Sequence, residues 1–205
     1  MDEGQGGDAT MTIEMSADVK GWFRERLASA LDRRRLPASE TTRLYLVELL
    51  SSFARDGSRA RLGRPLALQL ADAAEADGPE RIRLLRTLGD TALYLLGFFE
   101  EHVERRGVTR GYVVAMGGRA YSSAESLAAY TPSEAPRRPV YGELADRFED
   151  YVEAIDDVRE STALRTPQEI VKLYDKWKRT RSPKVAARLQ REGVFPTVPG
   201  SETLH

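Results

Sequence analysis

The fold is decided by the stretch GDTALYLLGFFEEHVERRG, residues 89–107. When this stretch is drawn as a helix, apolar side chains lie on nearly every side, which is typical of a helix at the centre of a core. Pro79 upstream suits a first helical position, and Gly107 suits the position just after a helix end. We therefore predict a long central helix from Pro79 to Gly107.

Helical spacing of apolar residues continues along almost the whole chain, and no stretch alternates as a strand would. We predict an all-α fold, a multi-helix bundle of about eight helices with mostly antiparallel neighbours and no sheet. Capping and first-turn signals mark the helix starts, and these are Ser16, Ser39, Pro65, Pro79, Thr109, Thr166 with Pro167, and Ser182 with Pro183.

The chain is predicted to form one domain between two tails. We expect a disordered N-terminal tail over 1–15, a single helical domain over 16–195 and an irregular tail over 196–205. The domain is divided into a five-helix bundle at 16–130, an extended proline-rich linker at 131–139, and an acidic helix with a basic helical hairpin at 140–195.

Composition limits the class of protein. The 205 residues suffice for one domain with a substantial core, and 41% hydrophobic with 31% charged residues is a globular balance. The net charge of −1 gives no general attraction to nucleic acid or anionic lipid. Without cysteine the chain has no disulfide or thiolate metal site, which fits a reducing cytoplasm.

No targeting or membrane segment is expected. The N-terminal sequence MDEGQGGDATMTIEM is acidic and glycine-rich, and it lacks the apolar core of a signal peptide. The longest strongly apolar run, Ala92 to Phe99, is much shorter than the roughly 20 residues of a bilayer span. We expect a soluble, cytoplasmic protein with no membrane span.

Two interpretations of the glycines in the central helix stay open. A glycine costs roughly 1 kcal/mol relative to alanine inside a helix, so Gly89 and Gly97 indicate a need for a smooth helix surface. Together with Gly117 and Gly118 they favour tight packing of the fourth and fifth helices. The alternative is a groove between those helices for a flat apolar ligand. The candidate pocket residues are Asp90, Tyr94, Gly97, His102, Tyr112, Met116, Arg119 and Tyr121.

Asp90 and His102 are the polar residues of this region whose roles need explaining. Asp90 is expected to pair with Arg86 or Arg119, since a buried carboxylate needs a partner, or else to anchor a ligand. His102 lies near a helix C-terminus, where the helix dipole favours its protonated form. The other histidine of the chain is the terminal His205, and no phosphate-binding loop or nucleophile triad is present. We predict no catalytic residue, no metal site and no cofactor.

The segment IDDVRE, residues 155–160, resembles the aspartate-rich motif of the all-α synthases that use prenyl diphosphates. In that family the motif holds magnesium ions on a diphosphate, so the resemblance implies a metal-dependent site at Asp156, Asp157 and Glu160. Helical phase places Asp157 and Glu160 on the side of the helix opposite its apolar stripe. We therefore interpret the segment as part of a solvated acidic face.

Charge is segregated between two neighbouring segments. Residues 143–160 carry eight acidic residues against two arginines, and residues 167–192 carry eight basic residues against three acidic ones. These segments are expected to neutralise each other within or between chains, to bind separate partners, or to be solvated surfaces only. The candidate partner-binding residues are Glu143, Asp146, Asp150, Glu153, Asp157, Lys176, Arg179 and Arg181.

This charge pattern favours a non-enzymatic interaction protein, either an adaptor or a self-assembling one, whose partner is another protein or a second copy. The alternative is a binder of small apolar ligands, or an enzyme, with its pocket between the fourth and fifth helices. A third hypothesis is nucleic-acid binding through the basic hairpin, near Tyr174 and Trp177, although its turn lacks the glycine frequent in helix-turn-helix motifs.

Overall fold

The computed structural model of the protein describes residues 6–55, 63–161, 167–192 and 194–196. Over these ranges the chain forms α-helices, one 3-10 helix and no strand, which confirms the predicted all-α class. The helices are α1 (Gly6–Arg34), α2 (Glu40–Arg55), α3 (Leu66–Glu75), α4 (Gly78–Arg105), α5 (Arg110–Ala128), the 3-10 helix Ala135–Arg137, α6 (Arg138–Asp146), α7 (Phe148–Glu160), α8 (Pro167–Thr180) and α9 (Pro183–Arg191).

Helix α4 contains the stretch that the sequence places at the centre, and it packs against α2, α3, α5 and α7. Leu93, Tyr94 and Leu96 have no exposed surface. The helix is interrupted at Phe99, where φ is −136° and ψ is 27°, two residues after Gly97. No helix in the described part of the chain is long and apolar enough to cross a membrane.

Glycines allow α4 to lie very close to its neighbours. A Cβ atom added to Gly97 would be 2.4 Å from Cγ2 of Ile155 in α7, and one added to Gly117 of α5 would be 2.2 Å from Cζ of Phe148. Both distances are far below van der Waals contact. The helices therefore meet where these two residues have no side chain.

Several predicted helix boundaries are found in the structure. The Thr109 side chain accepts a hydrogen bond from the backbone N–H of Tyr112 at 3.3 Å and caps α5. Gly107 follows the end of α4 with φ of +75°, a conformation in which glycine has no steric penalty. In the same way the Ser39 hydroxyl accepts from the N–H of Thr42 at 3.2 Å, at the start of α2.

The first helix is longer than predicted. It begins at Gly6, ahead of the predicted cap Ser16, so most of the predicted N-terminal tail is helical, while residues 1–5 lie outside the described residues. Extension of an existing helix adds one hydrogen bond for each residue fixed, so a helix anchored by a buried segment extends at low cost. The predicted tail at 196–205 lies outside the described residues beyond position 196.

The predicted acidic helix over 140–160 is two helices, α6 and α7, because the chain breaks at Arg147 with φ of −128° and ψ of 34°. The break lets α6 pack on α2 and α5 while α7 packs on α1 and α4. One straight helix has a single apolar stripe and does not serve two such directions. The preceding residues 131–139 are also not an extended linker, since they form turns and the 3-10 helix before α6 begins.

Replacement of Gly97 by alanine tests the close contact between α4 and α7. We expect G97A to lower the free energy of unfolding by about 1–3 kcal/mol, because the new methyl group meets the branched side chain of Ile155. The matched control is G21A in α1, where nothing lies within 4 Å of the added Cβ. It should raise stability by up to about 1 kcal/mol. Chemical denaturation followed by circular dichroism measures the free energy of unfolding of both variants. Equal effects of G97A and G21A would show that Gly97 is not in close contact with Ile155.

Candidate interaction surfaces

The acidic residues of α7 form ion pairs with arginines that lie far away in the sequence. Both Nε and Nη2 of Arg34 in α1 donate to the Asp157 carboxylate, at 2.8 and 2.7 Å. Arg33 lies 3.8 Å from the same carboxylate. Hydrogen bonding from Arg34, opposed by partial burial, holds the pKa of Asp157 below its usual range. Asp157 therefore joins α7 to the end of α1.

Glu153 is also engaged within the chain. Its carboxylate pairs with Arg34 at 3.5 Å and with Arg110 at the start of α5. Arg110 in addition contacts Glu100 at 2.9 Å and Glu149 at 3.3 Å, so one guanidinium collects three carboxylates. Within the described residues, the ion pairs of the acidic segment thus reach α1 and α5 and not the basic hairpin.

Glu143 is a half-buried residue of α6 that fixes the start of α2. One carboxylate oxygen accepts from the backbone N–H of Ser39 at 2.9 Å and from the Tyr151 hydroxyl at 2.8 Å. The other accepts from the hydroxyls of Ser39 and Thr42, each at 2.7 Å. Burial by itself would raise the pKa of Glu143, but these hydrogen bonds together lower it. Glu143 is not a free surface acid, because all of these donors already bind it.

Asp146 and Asp150 are the predicted acidic residues that remain exposed. Asp150 lines an open polar cleft of about 500 Å³ together with Arg34, Arg35 and Arg147. The sequence could not show that Glu143, Glu153 and Asp157 bind other residues of the same chain. It does contain a run of three arginines at 33–35, two of which are partners of these acids. The pairing of Arg33 and Arg34 with α7 spans more than a hundred positions, so no local spacing rule reveals it.

The candidate pocket between α4 and α5 is closed. Gly97 faces Ile155, and Gly117 faces Phe148, so the space that a groove needs is filled by side chains. Tyr94 is fully buried and stacks on Phe53 with ring centroids 4.3 Å apart. Of the remaining candidates, Met116 is half-buried, Arg119 is exposed and Tyr112 is 43% exposed, while the side chain of His102 lies outside the described residues.

Asp90 accepts hydrogen bonds from two tyrosines. Its Oδ1 accepts from the hydroxyl of Tyr45 at 2.5 Å and from that of Tyr121 at 2.7 Å. Burial and the neighbouring carboxylate raise the pKa of both tyrosines, so both stay protonated donors. Arg86, one turn earlier, is also attracted to Asp90. The sequence predicted Arg86 as a partner of Asp90, but it did not predict Tyr45 of α2 or Tyr121 of α5.

A cavity lies between α3, α4 and α5, and of the candidate pocket residues Tyr112 lines it. Its volume is about 240 Å³, somewhat less than the roughly 300 Å³ at which small-molecule sites begin. The lining is mostly apolar and includes Leu66, Leu95, Val103 and Tyr112. In the described part of the chain, no group of three or more His, Cys, Asp or Glu side chains is arranged to hold a metal ion.

Helix α8 turns its cations away from the protein. Tyr174 and Trp177 are buried, while Lys172, Lys176 and Arg179 are exposed. The three cations are separated by four and three residues, so they share one face of the helix. This face is opposite the buried aromatic side chains, because the two sets differ by about half a helical turn.

Helix α9 follows the same pattern. Leu189 is buried, and Lys184 and Arg188 are exposed at a separation of four residues. Within the described ranges, no ion pair involves Lys172, Lys176, Arg179, Lys184 or Arg188. We call these five residues the basic face.

The hairpin that carries the basic face is attached to the rest of the protein at several points. Helix α8 packs on α2, and the Trp22 indole of α1 donates to the Glu192 carbonyl just after α9. Arg26 donates to the same carbonyl at 3.2 Å. Arg181, a predicted binding residue, has φ of 48° in the turn, and its guanidinium lies 4.5 Å from the ring centroid of Trp177. Arg181 therefore covers an aromatic ring of its own hairpin.

Comparisons with protein-family models, with curated proteins and with solved structures give no match to this chain. Of the two charged segments, the acidic one is largely used to hold helices together, and the basic one presents its cations to solvent.

The role of Glu143 is testable by pH-dependent unfolding. We expect E143Q to lower the free energy of unfolding at neutral pH by about 1 kcal/mol, since a charged acceptor of several hydrogen bonds is lost. The folded-state pKa lies below the unfolded one, so the stabilisation is present above the unfolded pKa and disappears as the pH falls through the folded pKa. Urea titrations between about pH 5 and pH 3 should therefore show that the free energy of unfolding falls less for E143Q than for the wild type.

The control for this prediction is D146N, which removes an exposed carboxylate of the same helix. Surface changes of this kind usually alter stability by less than about 0.5 kcal/mol. If D146N and E143Q had equal stability and equal pH dependence, the carboxylate of Glu143 would not hold α2.

Proposed function

We propose that this protein is a non-enzymatic helical binding protein that holds an acidic segment of a partner protein on its basic face, Lys172, Lys176, Arg179, Lys184 and Arg188. The observation that carries the proposal is the difference between the two charged segments. Acids of α6 and α7 bind arginines, serine, threonine and tyrosine of their own chain. The cations of the basic face are exposed and have no ion pair with the described residues.

A rigid support favours binding through this face. Side-chain cations on a helix that is packed on one side are held at fixed spacing, which lowers the ordering cost of binding. The inner side of α8 is buried against α2, and the end of α9 is bound by Trp22 and Arg26. The cations thus lie on a firmly attached hairpin rather than on a loose tail.

An acidic protein segment fits this face better than nucleic acid does. Proteins that bind single strands stack bases on exposed aromatic rings. Here Tyr174 and Trp177 are 3% and 5% exposed, and Arg181 covers the Trp177 ring.

A membrane surface fits less well for a related reason. Peripheral helices that bind lipid insert large apolar side chains between the headgroups. The large apolar residues of α8 are turned inward, with Ile170, Tyr174 and Trp177 all buried. The basic face therefore offers charged side chains but no large apolar side chain that could insert between lipid headgroups. Such a surface suits a polar, acidic protein segment.

The proposal is tested with a fluorescein-labelled glutamate-rich peptide in fluorescence anisotropy at low salt. We expect K176E/R179E to weaken binding at least about tenfold, because two attractive contacts become repulsive. The control is R24E/R119E, which changes the net charge by the same amount at two exposed arginines outside the hairpin. It should change the affinity by less than about twofold.

Two outcomes would contradict the proposal. Equal weakening by both double variants would show a response to net charge only, with no role for the basic face. Tighter binding of a DNA duplex or of phosphatidylserine vesicles than of the peptide, abolished by K176E/R179E, would assign the face to nucleic acid or to lipid.

A further inference from the structure

The cavity between α3, α4 and α5 has an apolar floor. Four side chains that are at most 9% exposed form this floor, and these are Leu66, Leu95, Val103 and Val113. Leu95 and Val103 lie about two turns apart on α4, one on each side of the break at Phe99. The floor offers no side-chain hydrogen bond to water, so an apolar group that fills it gains free energy by leaving water.

The rim of the cavity is polar and positively charged. It is formed by the exposed side chains of Arg64, Arg106 and Tyr112. Nη2 of Arg64 already binds the Asp72 carboxylate at 2.8 Å. Within the described residues, neither the Arg106 guanidinium nor the Tyr112 hydroxyl has a hydrogen bond or an ion pair. No carboxylate of these residues lines the cavity, so the donors available at the rim are suited to an anion.

We propose that this cavity binds a monocarboxylic acid with a short alkyl chain, which places its chain on the floor and its carboxylate on Arg106 and Tyr112. A guanidinium binds a carboxylate through two parallel N–H···O bonds, and a tyrosine hydroxyl donates a further one. A single unpaired cation matches a single negative charge. None of the basic face lines the cavity, so this site is separate from the proposed binding of an acidic protein segment.

The volume of the cavity sets the length of the chain. A protein cavity of about 150 Å³ holds benzene, which has six carbon atoms. In the same proportion, the volume of about 240 Å³ accommodates about eight to ten carbon atoms. Octanoate is therefore the probe of choice, and the chain of a long fatty acid would extend into solvent.

Isothermal titration calorimetry with hexanoate, octanoate, decanoate and dodecanoate tests the floor. We expect the dissociation constant to fall about fourfold for each added methylene group while the chain is still entering the cavity. It should fall little beyond decanoate, because the cavity is then full. Octylamine has the same chain length and the opposite charge, and it should bind at least about tenfold more weakly than octanoate.

The variant R106Q tests the rim. It should weaken octanoate binding about tenfold, since a charged donor is lost, and it should change the affinity for octanol by less than about twofold. The matched control is R119Q, which removes an exposed arginine of α5 that does not line the cavity. It should bind octanoate like the wild type. Circular dichroism confirms that both variants are folded.

Methyl NMR spectra locate the bound acid. Octanoate should shift the methyl resonances of Leu95, Val103 and Val113, and the variant K176E/R179E should bind octanoate like the wild type. Shifts confined to α8 and α9, or loss of binding in K176E/R179E, would assign the acid to the basic face and overturn the proposal.

Three other outcomes would also overturn the proposal. The first is no binding of octanoate at about 10 mM, well above the dissociation constant expected for a ligand of this size. The second is equal weakening of octanoate binding by R106Q and R119Q, which would show a response to net charge only. The third is a dissociation constant that falls equally steeply through dodecanoate, which would show that the chain is not enclosed.

Discussion

Helix α4 can occupy the centre of this protein because its closest contacts involve residues without a Cβ atom. Gly89 faces the Tyr121 ring, Gly97 faces Ile155, and Gly117 of α5 faces Phe148, and a methyl group at any of the three would lie 2.8 Å or less from its neighbour. The cost of glycine within a helix is about 1 kcal/mol for each residue. Close packing of large side chains over the glycines offsets this cost and places α5 and α7 against α4.

The position of α7 determines the use of the acidic residues. Once α7 lies between α1 and α4, Asp157 reaches Arg34, and Glu153 reaches both Arg34 and Arg110. Through Glu143, the adjoining α6 holds the start of α2. Much of the negative charge therefore lies in contacts between helices, whereas the cations of the basic face have no ion pair with the described residues. The two segments thus differ in how their charges are paired, and net charge does not show this difference.

The basic face takes no part in the ion pairs that join the helices of the described part of the chain. It lies on a hairpin that contacts α1 and α2. Its cations are exposed and have no ion pair with the described residues, and we propose that an acidic protein segment supplies their partners.

The sequence by itself determined the helical class, the central position of residues 89–107 and the caps at Ser39 and Thr109, because spacing and capping are local properties of the chain. It also left close packing at Gly97 open, and the structure decided in favour of packing over a groove. Only the tertiary structure decided that Asp90 binds two tyrosines, that Arg147 divides the acidic helix, and which charges are paired. These features depend on which helices become neighbours, and side chains far apart in the sequence meet only after the core has set those neighbours.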